Sequence, residues 1–290
     1  MPVWKAALLG VIQGVTSVLP VSSSGHIALF GRLLGESTAS SLSFMVYLHI
    51  GTLVAVLWTF AGDLRKLLRA CVLILRDLAR NLVTFNRITF MRKKGTYRAL
   101  LHGNYRRLAA LLVTAAAVEA VVSLFMRNFS FLGASNLLIT AMGFFVTALL
   151  LFISSFTLEV KRNPMRCGFR DALLAGALQG AAALPGISRL GMAMSASCLS
   201  GLERPFMVRF SFLLAIPAII GGMIGILPSV QAQAEVPPQI GACIIGIVVS
   251  AFVSTAMLQL VKRILSRKAS RLFSVYTAVI GILCIVLYFR

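Results

Sequence analysis

Residues 19–26 read Leu-Pro-Val-Ser-Ser-Ser-Gly-His and interrupt an otherwise apolar region, residues 3–33. Proline lacks a backbone N–H, and serine side chains compete for backbone hydrogen bonds, so this stretch breaks a helix. Lipid cannot satisfy the backbone groups that the break exposes, so at membrane depth the break must be buried in protein or line a wet cavity. The stretch therefore predicts two short helices that meet at a turn inside a membrane.

A second region, residues 172–200, has the same design. Its break reads Pro-Gly-Ile-Ser-Arg at residues 185–189, and a Gln-Gly pair at 179–180 precedes it, as a Gln-Gly pair at 13–14 precedes the first break. Three long apolar runs follow each broken region. We therefore predict an internal repeat of one re-entrant helical hairpin plus three spanning helices, and we call the broken regions the first and the second hairpin.

The composition is that of a membrane protein. Hydrophobic residues make up 59% of the 290 residues and charged residues only 12%, with a mean hydropathy of +0.92. A soluble domain carries about twice that charged fraction. We expect an all-α polytopic membrane protein, a single domain over residues 1–290 with six full spans beside the two hairpins. The six predicted spans, each near the length that crosses a bilayer, are 42–61, 109–126, 135–156, 207–228, 239–260 and 272–289.

The net charge of +20 is better explained by membrane topology than by nucleic-acid binding, because the basic residues cluster in the segments between the apolar runs. Lys and Arg number twelve in 62–108, four in 157–171 and five in 261–271, against one in 127–134 and none in 229–238. The positive-inside rule places the three rich loops in the cytoplasm and both termini on the outer side. A hairpin adds no net crossing, so three spans invert the second half, 172–290, relative to the first, 1–156.

The basic linker, residues 62–108, contains a predicted amphipathic helix at 64–85. Leucines and arginines alternate there at helical spacing. Such a helix lies on a membrane surface and attracts anionic lipid headgroups of the inner leaflet. Binding of a partner helix is the alternative interpretation.

The polar residues of the hairpins are the candidate site, because polar groups at the bilayer midplane are costly and usually functional. An inverted repeat brings the hairpin tips together, with Arg189 facing the serines and His26. A guanidinium, hydroxyls, an imidazole and helix N-termini suit an anion such as phosphate. His26 is a candidate base, acid or nucleophile, with a hydroxyl as the other candidate. Alternatively, the hydroxyls cap broken helices and His26 satisfies a carbonyl.

These residues carry a family resemblance. Residues 19–26 and the stretch Pro-Gly-Ile-Ser-Arg-Leu-Gly at 185–191 resemble two signatures of the bacterial undecaprenyl-diphosphate phosphatases, the bacitracin-resistance family. Leu-His-Ile-Gly-Thr-Leu at 48–53 and Arg-Phe-Ser-Phe-Leu-Leu-Ala-Ile-Pro at 209–217 resemble two further family stretches. The resemblance implies removal of one phosphate from a C55 isoprenoid diphosphate on the outer side of the bacterial plasma membrane, which recycles the lipid carrier for cell-wall synthesis.

The resemblance also implies roles for single residues. The predicted catalytic residues are Ser22, Ser23, His26 and Arg189. The predicted substrate-binding residues are Gln13, Ser17, Ser24, Gln179, Gly186 and Ser188.

Four positions depart from the family pattern. Gln13 and Ser17 stand where the family has two glutamates, Met45 replaces an aspartate, and Leu190 replaces a serine. The family glutamates imply a Mg²⁺ or Ca²⁺ ion or proton transfer, and neither replacement carries a charge. Glu119 is the acid that lies well inside an apolar span, and it is either a partner of a buried base such as Arg189 or a packing residue.

Two functions therefore stay open on the sequence alone. The first is a polyprenyl-diphosphate phosphatase. The second is a catalytically impaired relative that binds or translocates a polyprenyl phosphate or another lipid phosphate, which suits alternating access in an inverted repeat. A transporter of an unrelated small anion is a more distant alternative, and a homodimer is compatible with either function.

Overall fold

A computed structural model describes residues 1–36, 38–157, 166–233, 239–264 and 267–289. Within these ranges the predicted all-α class is confirmed. The helices are α1 (Val3–Thr16), α2 (Ser23–Leu33), α3 (Thr38–Thr59), α4 (Ala61–Thr89), α5 (Asn104–Ser135), α6 (Leu137–Phe156), α7 (Phe169–Gly180), α8 (Arg189–Leu199), α9 (Arg204–Gln233), α10 (Ile240–Ile264) and α11 (Arg267–Tyr288). One 3₁₀ turn, Ala181–Ala183, follows α7.

Five described helices are long and apolar enough to cross a membrane. These candidate spans are Asn104–Met126, Leu137–Phe156, Arg204–Gly225, Ile240–Arg263 and Lys268–Tyr288. The first predicted span, 42–61, falls in a sixth candidate, where Phe44–Thr59 and Ala61–Thr89 meet at a bend of 81°. The chain is a multi-pass helical membrane protein.

Two loop predictions were wrong in extent. Residues 127–134 belong to α5, and residues 229–233 belong to α9, because both helices continue beyond their apolar segments. The rest of the predicted loop 229–238, and parts of the loops 157–171 and 261–271, lie outside the described residues.

Both predicted breaks are present. The first hairpin is interrupted between Thr16 and Ser23, and the second between Gly180 and Arg189 apart from the 3₁₀ turn. The helices on either side of each break pack against each other, α1 on α2 and α7 on α8.

Glycine pairs spaced four apart bring helices into backbone contact. Gly10 and Gly14 face α10, where a Cβ on Gly14 would lie 2.6 Å from the Val253 Cβ. Gly176 and Gly180 face α5, where a Cβ on Gly176 would lie 2.2 Å from the Ala115 carbonyl oxygen. Lipid is as apolar as leucine, so helix association in a membrane depends on such close packing. These contacts hold the first arm of each hairpin in place.

Corresponding helices of the two halves pack in matching pairs. Helix α1 packs on α10 and α7 packs on α5. Helix α3 also packs on α10, and α9 also packs on α5. The last helices of the two halves, α6 and α11, pack on each other.

Helix α4 contains the predicted amphipathic segment and turns away from α3 by 81°. The buried side of α4 contacts the start of α5, where Arg106 Nη1 of α5 donates a 2.8 Å hydrogen bond to Asp77 Oδ2 of α4. That hydrogen bond and the neighbouring arginines lower the pKa of Asp77 from its ordinary value. Leu67 packs in the protein core, whereas Leu75 and its apolar neighbours on the opposite side are exposed.

Candidate functional site

The second helix of each hairpin begins at a serine cap. The Ser22 hydroxyl accepts a 3.3 Å hydrogen bond from the Gly25 amide, and the Ser188 hydroxyl accepts a 3.0 Å bond from the Gly191 amide. Ser22 has a φ of 69°, which is uncommon for a residue with a side chain and accumulates at functional sites. The same Ser-x-x-Gly cap therefore starts α2 and α8, and it leaves amide groups at the turn that can bind an anion.

The two tips touch each other, as the sequence predicted. The Ser22 hydroxyl donates a 3.3 Å hydrogen bond to the Ile187 carbonyl. A Cβ on Gly25 would lie 2.9 Å from the Gly186 Cα. The starts of α2 and α8, which are 166 residues apart in the chain, thus form one polar junction.

Helix α6 contacts the second tip, and no sequence pattern predicted this contact. The Thr147 hydroxyl donates a 2.9 Å hydrogen bond to the Gly186 carbonyl, and it accepts a 3.0 Å bond from the Ser188 amide. Gly186 has a φ of 86°, and a Cβ there would lie 2.1 Å from the Thr140 carbonyl oxygen. Only glycine fits this turn. An isolated threonine inside an apolar span carries no recognisable sequence signal for this role.

Ser23 and Ser24 line the junction at partial exposure. The Ser24 hydroxyl lies 3.4 Å from the Ser22 hydroxyl, and the Ser23 hydroxyl has no hydrogen-bond partner among the described residues. These two hydroxyls are therefore available to a ligand. The Ser22 hydroxyl, in contrast, is already used in the cap and in the contact with Ile187.

His26 is 1% exposed and has a partner at each ring nitrogen. Nδ1 lies 2.7 Å from the Ser22 carbonyl oxygen, which can only accept, so Nδ1 carries the proton. Nε2 then accepts a hydrogen bond from the Tyr276 hydroxyl at 2.8 Å. Phe144 packs edge-on against the ring, with the ring centroids 5.2 Å apart. The lone pair that catalysis would use is thus occupied by Tyr276, a residue that the sequence did not single out.

The predicted approach of Arg189 to the serines and His26 is absent from the described contacts. The guanidinium lies against Gly222 of α9, where an added Cβ would be 2.9 Å from Nη2. It interacts electrostatically with Glu119 and His49, and no described residue accepts a hydrogen bond from it. Arg189 therefore lies at the start of α8 with its donors free.

Gln13 and Ser17 belong to a cluster of neutral oxygen and amide groups. Gln13 Nε2 donates to the Thr52 hydroxyl at 3.5 Å, and that hydroxyl donates to the Ser17 hydroxyl at 3.1 Å. Ser250 and Ser254 of α10 reach the same threonine at 3.4 Å each. We call these five residues the hydroxyl cluster.

Gln179 is the counterpart of Gln13 in the second hairpin. Each lies nine residues before a capping serine, and each is at most 1% exposed. Gln179 Nε2 donates to the Leu214 carbonyl at 3.3 Å. The Oε1 atoms of both glutamines are buried without a partner. An unsatisfied buried oxygen is costly, so both amides are expected to face a ligand group or water.

The metal ion implied by the family resemblance does not fit these residues. Mg²⁺ and Ca²⁺ sites in proteins are built around carboxylates. The hydroxyl cluster offers amide and hydroxyl groups without charge, and no group of three His, Cys, Asp or Glu residues lies together in the described part of the chain. The chemistry of the site is therefore derived from the side chains alone.

Fold and site together define a class: a multi-pass helical membrane protein in which two broken helices join their capped tips, with an arginine at the start of the second helix of the second hairpin. The chain belongs to the family described as bacitracin resistance protein BacA, which it matches over residues 6–283.

Three relatives with the name undecaprenyl-diphosphatase match between 77% and 99% of the chain. The protein from Desulforapulum autotrophicum is 32% identical over 286 residues, covering 99% of this chain and 98% of its own length. The protein from Methanobrevibacter smithii is 29% identical, covering 98% and 96%. The protein from Alkaliphilus metalliredigens is 33% identical over 224 residues, covering 77% and 76%.

Proposed function

We propose that this chain is an undecaprenyl-diphosphate phosphatase that recycles the polyprenyl lipid carrier of cell-wall synthesis. Membership of the BacA family and relatives of that name support the activity. The observation that carries the assignment is the junction of the two serine-capped tips, with Arg189 at the start of α8, because it concentrates anion-binding groups within an apolar protein. A diphosphate on an isoprenoid tail has both the charge and the apolar chain that such a site accepts.

In the proposed mechanism, the amide groups at the starts of α2 and α8 bind the phosphate oxygens, and Arg189 donates hydrogen bonds to them. Ser23 and Ser24 supply hydroxyl donors. The oxygen of a water molecule forms a bond to the terminal phosphorus while the bridging P–O bond breaks. The bridging oxygen keeps that electron pair on the lipid monophosphate, and inorganic phosphate is released.

His26 is the proposed acceptor of the proton that the attacking water loses. Its protonated Nδ1 is fixed by the Ser22 carbonyl, which leaves Nε2 as the basic atom. Nε2 must first exchange the Tyr276 hydroxyl for the water. Geometry in a ligand-free site often tightens only when the substrate binds, so this exchange is compatible with a general base.

The decisive experiment measures phosphate released from undecaprenyl or farnesyl diphosphate by the purified full chain, with divalent ions and with chelator. We expect release by the wild type and a loss of about 100-fold in Arg189→Ala, since an unpaired charge-assisted contact is worth about 3 kcal/mol. Arg32→Ala is the matched control, because Arg32 is an exposed arginine at the end of α2. Binding of the lipid without release would instead indicate the catalytically impaired relative.

We also propose the inverted-repeat topology, with the two halves 1–156 and 172–290 and both termini on the outer side. The matching helix pairs α1–α10 with α7–α5, and α3–α10 with α9–α5, support it, since an exchange of the halves turns each pair into the other. A reporter fused at residue 290 tests the orientation. A cytoplasmic signal at that position would contradict it. Homodimer formation stays a prediction.

The third proposal concerns α4, which we place on the inner leaflet surface in contact with anionic lipid headgroups. The bend of 81° at the start of α4 turns the helix away from the direction of α3. The exposed face of α4 carries both apolar residues and the arginines Arg69, Arg80 and Arg87, as expected of a helix on a membrane surface. The full chain in neutral detergent should gain thermal stability from added phosphatidylglycerol and less from phosphatidylcholine. Replacement of the three arginines by glutamine should abolish the difference, and an unchanged preference would refute the contact.

A further inference from the structure

Glu119 is a buried carboxylic acid in the middle of α5, with 6% of its surface exposed. Three other described acids form ion pairs near helix ends or in α4: Glu36 with Lys5, Asp63 with Arg209, and Asp77 with Arg106. A carboxylate inside a spanning helix is costly and marks a functional position unless packing explains it.

The backbone contact between α5 and α7 places Glu119 next to the second hairpin. A Cβ on Gly180 would lie 2.9 Å from the Glu119 carbonyl oxygen, and the Ser123 hydroxyl donates a 3.3 Å hydrogen bond to the Gly180 carbonyl. The Glu119 side chain is therefore held beside Gln179, the residue before Gly180. Its two polar interactions are with the side chains of Gln179 and Arg189.

The first hairpin repeats this contact with α10. A Cβ on Gly14 would lie 3.1 Å from the Ser250 carbonyl oxygen, and the Ser254 hydroxyl donates a 3.4 Å hydrogen bond to the Gly14 carbonyl. Ser250 thus occupies the position beside the first hairpin that Glu119 occupies beside the second. Since a serine satisfies the packing at this position, packing does not explain the carboxylate.

Glu119 and Arg189 attract each other, but no direct ion pair joins them among the described contacts. The guanidinium rests on Gly222, which has no side chain to displace it. An attraction without a direct ion pair orients the guanidinium and leaves its donors available to a phosphate.

We propose that Glu119 is a positioning residue that holds Arg189 in place for binding the phosphate groups of the lipid substrate. This inference rests on the proposed function and adds a residue that neither the signatures nor the predicted site contains. Glu119 is thus a carboxylic acid beside the second hairpin, whereas the corresponding polar positions of the first hairpin, Gln13 and Ser17, are uncharged.

The test compares Glu119→Gln, which removes the charge at constant size, with Glu119→Asp, which keeps it. Ser123→Ala is the matched control, because it lies one turn further on the same contact with α7. Binding is measured by calorimetry with a methylene-bridged farnesyl diphosphate analogue, which cannot be hydrolysed, and kcat and KM are measured by phosphate release.

We expect Glu119→Gln to weaken binding of the analogue and to raise KM by about 10-fold, with kcat at saturation changed less than about twofold, as for coupled residues of one electrostatic network. Glu119→Asp should recover most of the binding, and Ser123→Ala should bind as the wild type does. In a double-mutant cycle, Glu119→Gln should cost little more when Arg189 is already alanine.

Two results would overturn the inference. One is a loss of kcat with unchanged analogue binding, which would make Glu119 a base. The other is binding by Glu119→Gln equal to that of Ser123→Ala. If Glu119→Gln does not fold, Gly222→Ala displaces the same guanidinium and should raise KM alone. Because binding is measured without hydrolysis, a chain that binds but does not release phosphate refutes the proposed function and still tests the role of Glu119.

Discussion

The turn at Gly186 provides the sharpest test of the tip geometry. Gly186→Ala places a methyl group 2.1 Å from the Thr140 carbonyl oxygen, in a turn with a φ of 86°. The backbone conformation costs a residue with a side chain about 1–2 kcal/mol. The steric overlap adds about 1–3 kcal/mol, because α6 must move away or the turn must open.

Gly103→Ala is the matched control, since Gly103 has a φ of 85° but nothing within 4 Å of an added Cβ. Both variants place a side chain at a positive φ, and only Gly186→Ala adds a steric overlap. Thermal unfolding of the full chain in detergent should therefore place Gly186→Ala below Gly103→Ala by about 4–8 °C for a difference of about 2 kcal/mol.

Phosphate release should follow the same order, because Gly186 carries the junction of the two tips. Equal melting temperatures for the two variants would show that α6 does not confine the turn. That result would refute the description of the junction as a packed structure.

Three further predictions follow from single contacts. Tyr276→Phe removes the hydroxyl that must leave His26 Nε2 before water can bind there, so kcat should rise by about 2- to 10-fold, the worth of one hydrogen bond, whereas Tyr288→Phe on the same helix should have no effect. The pKa of Asp77 is lowered in the folded protein, so its ion pair stabilises the fold at pH values above the ordinary pKa of 3.8, and this stabilisation is lost as the pH falls through the lowered pKa. The melting temperature of the wild type should therefore drop more than that of Asp77→Asn between about pH 5 and about pH 3. Chelator should leave phosphate release unchanged, because the hydroxyl cluster is uncharged; a loss of activity restored by Mg²⁺ or Ca²⁺ would contradict this.

The breaks could be predicted from sequence because their causes are local. Proline, glycine and serine at 19–26 and 185–189 disrupt a helix wherever they stand, and lipid surroundings make the disruption conspicuous. The amphipathic helix was equally accessible, since helical periodicity is a short-range pattern. The ends of the helices were harder to predict, because α5 and α9 continue through polar residues beyond their apolar segments.

The environment of each polar side chain could not be predicted in the same way. Thr147 and Tyr276 are ordinary residues of apolar helices, and only the packing of α6 and α11 against the hairpins gives them partners. The contacts expected between Arg189 and the serines are also absent among the described residues, where the guanidinium packs against Gly222 of α9.

The sequence by itself determined that this chain is a helical membrane protein with two broken hairpins, and it pointed to a lipid-diphosphate family. Those features depend on composition, on short periodic patterns and on residues adjacent in the chain. Only the tertiary structure decided which contacts join the capped tips, that the Tyr276 hydroxyl hydrogen-bonds to His26, and that Arg189 packs against Gly222. These contacts join residues far apart in the chain, and the direction of a side chain at such a junction depends on which helices pack around it.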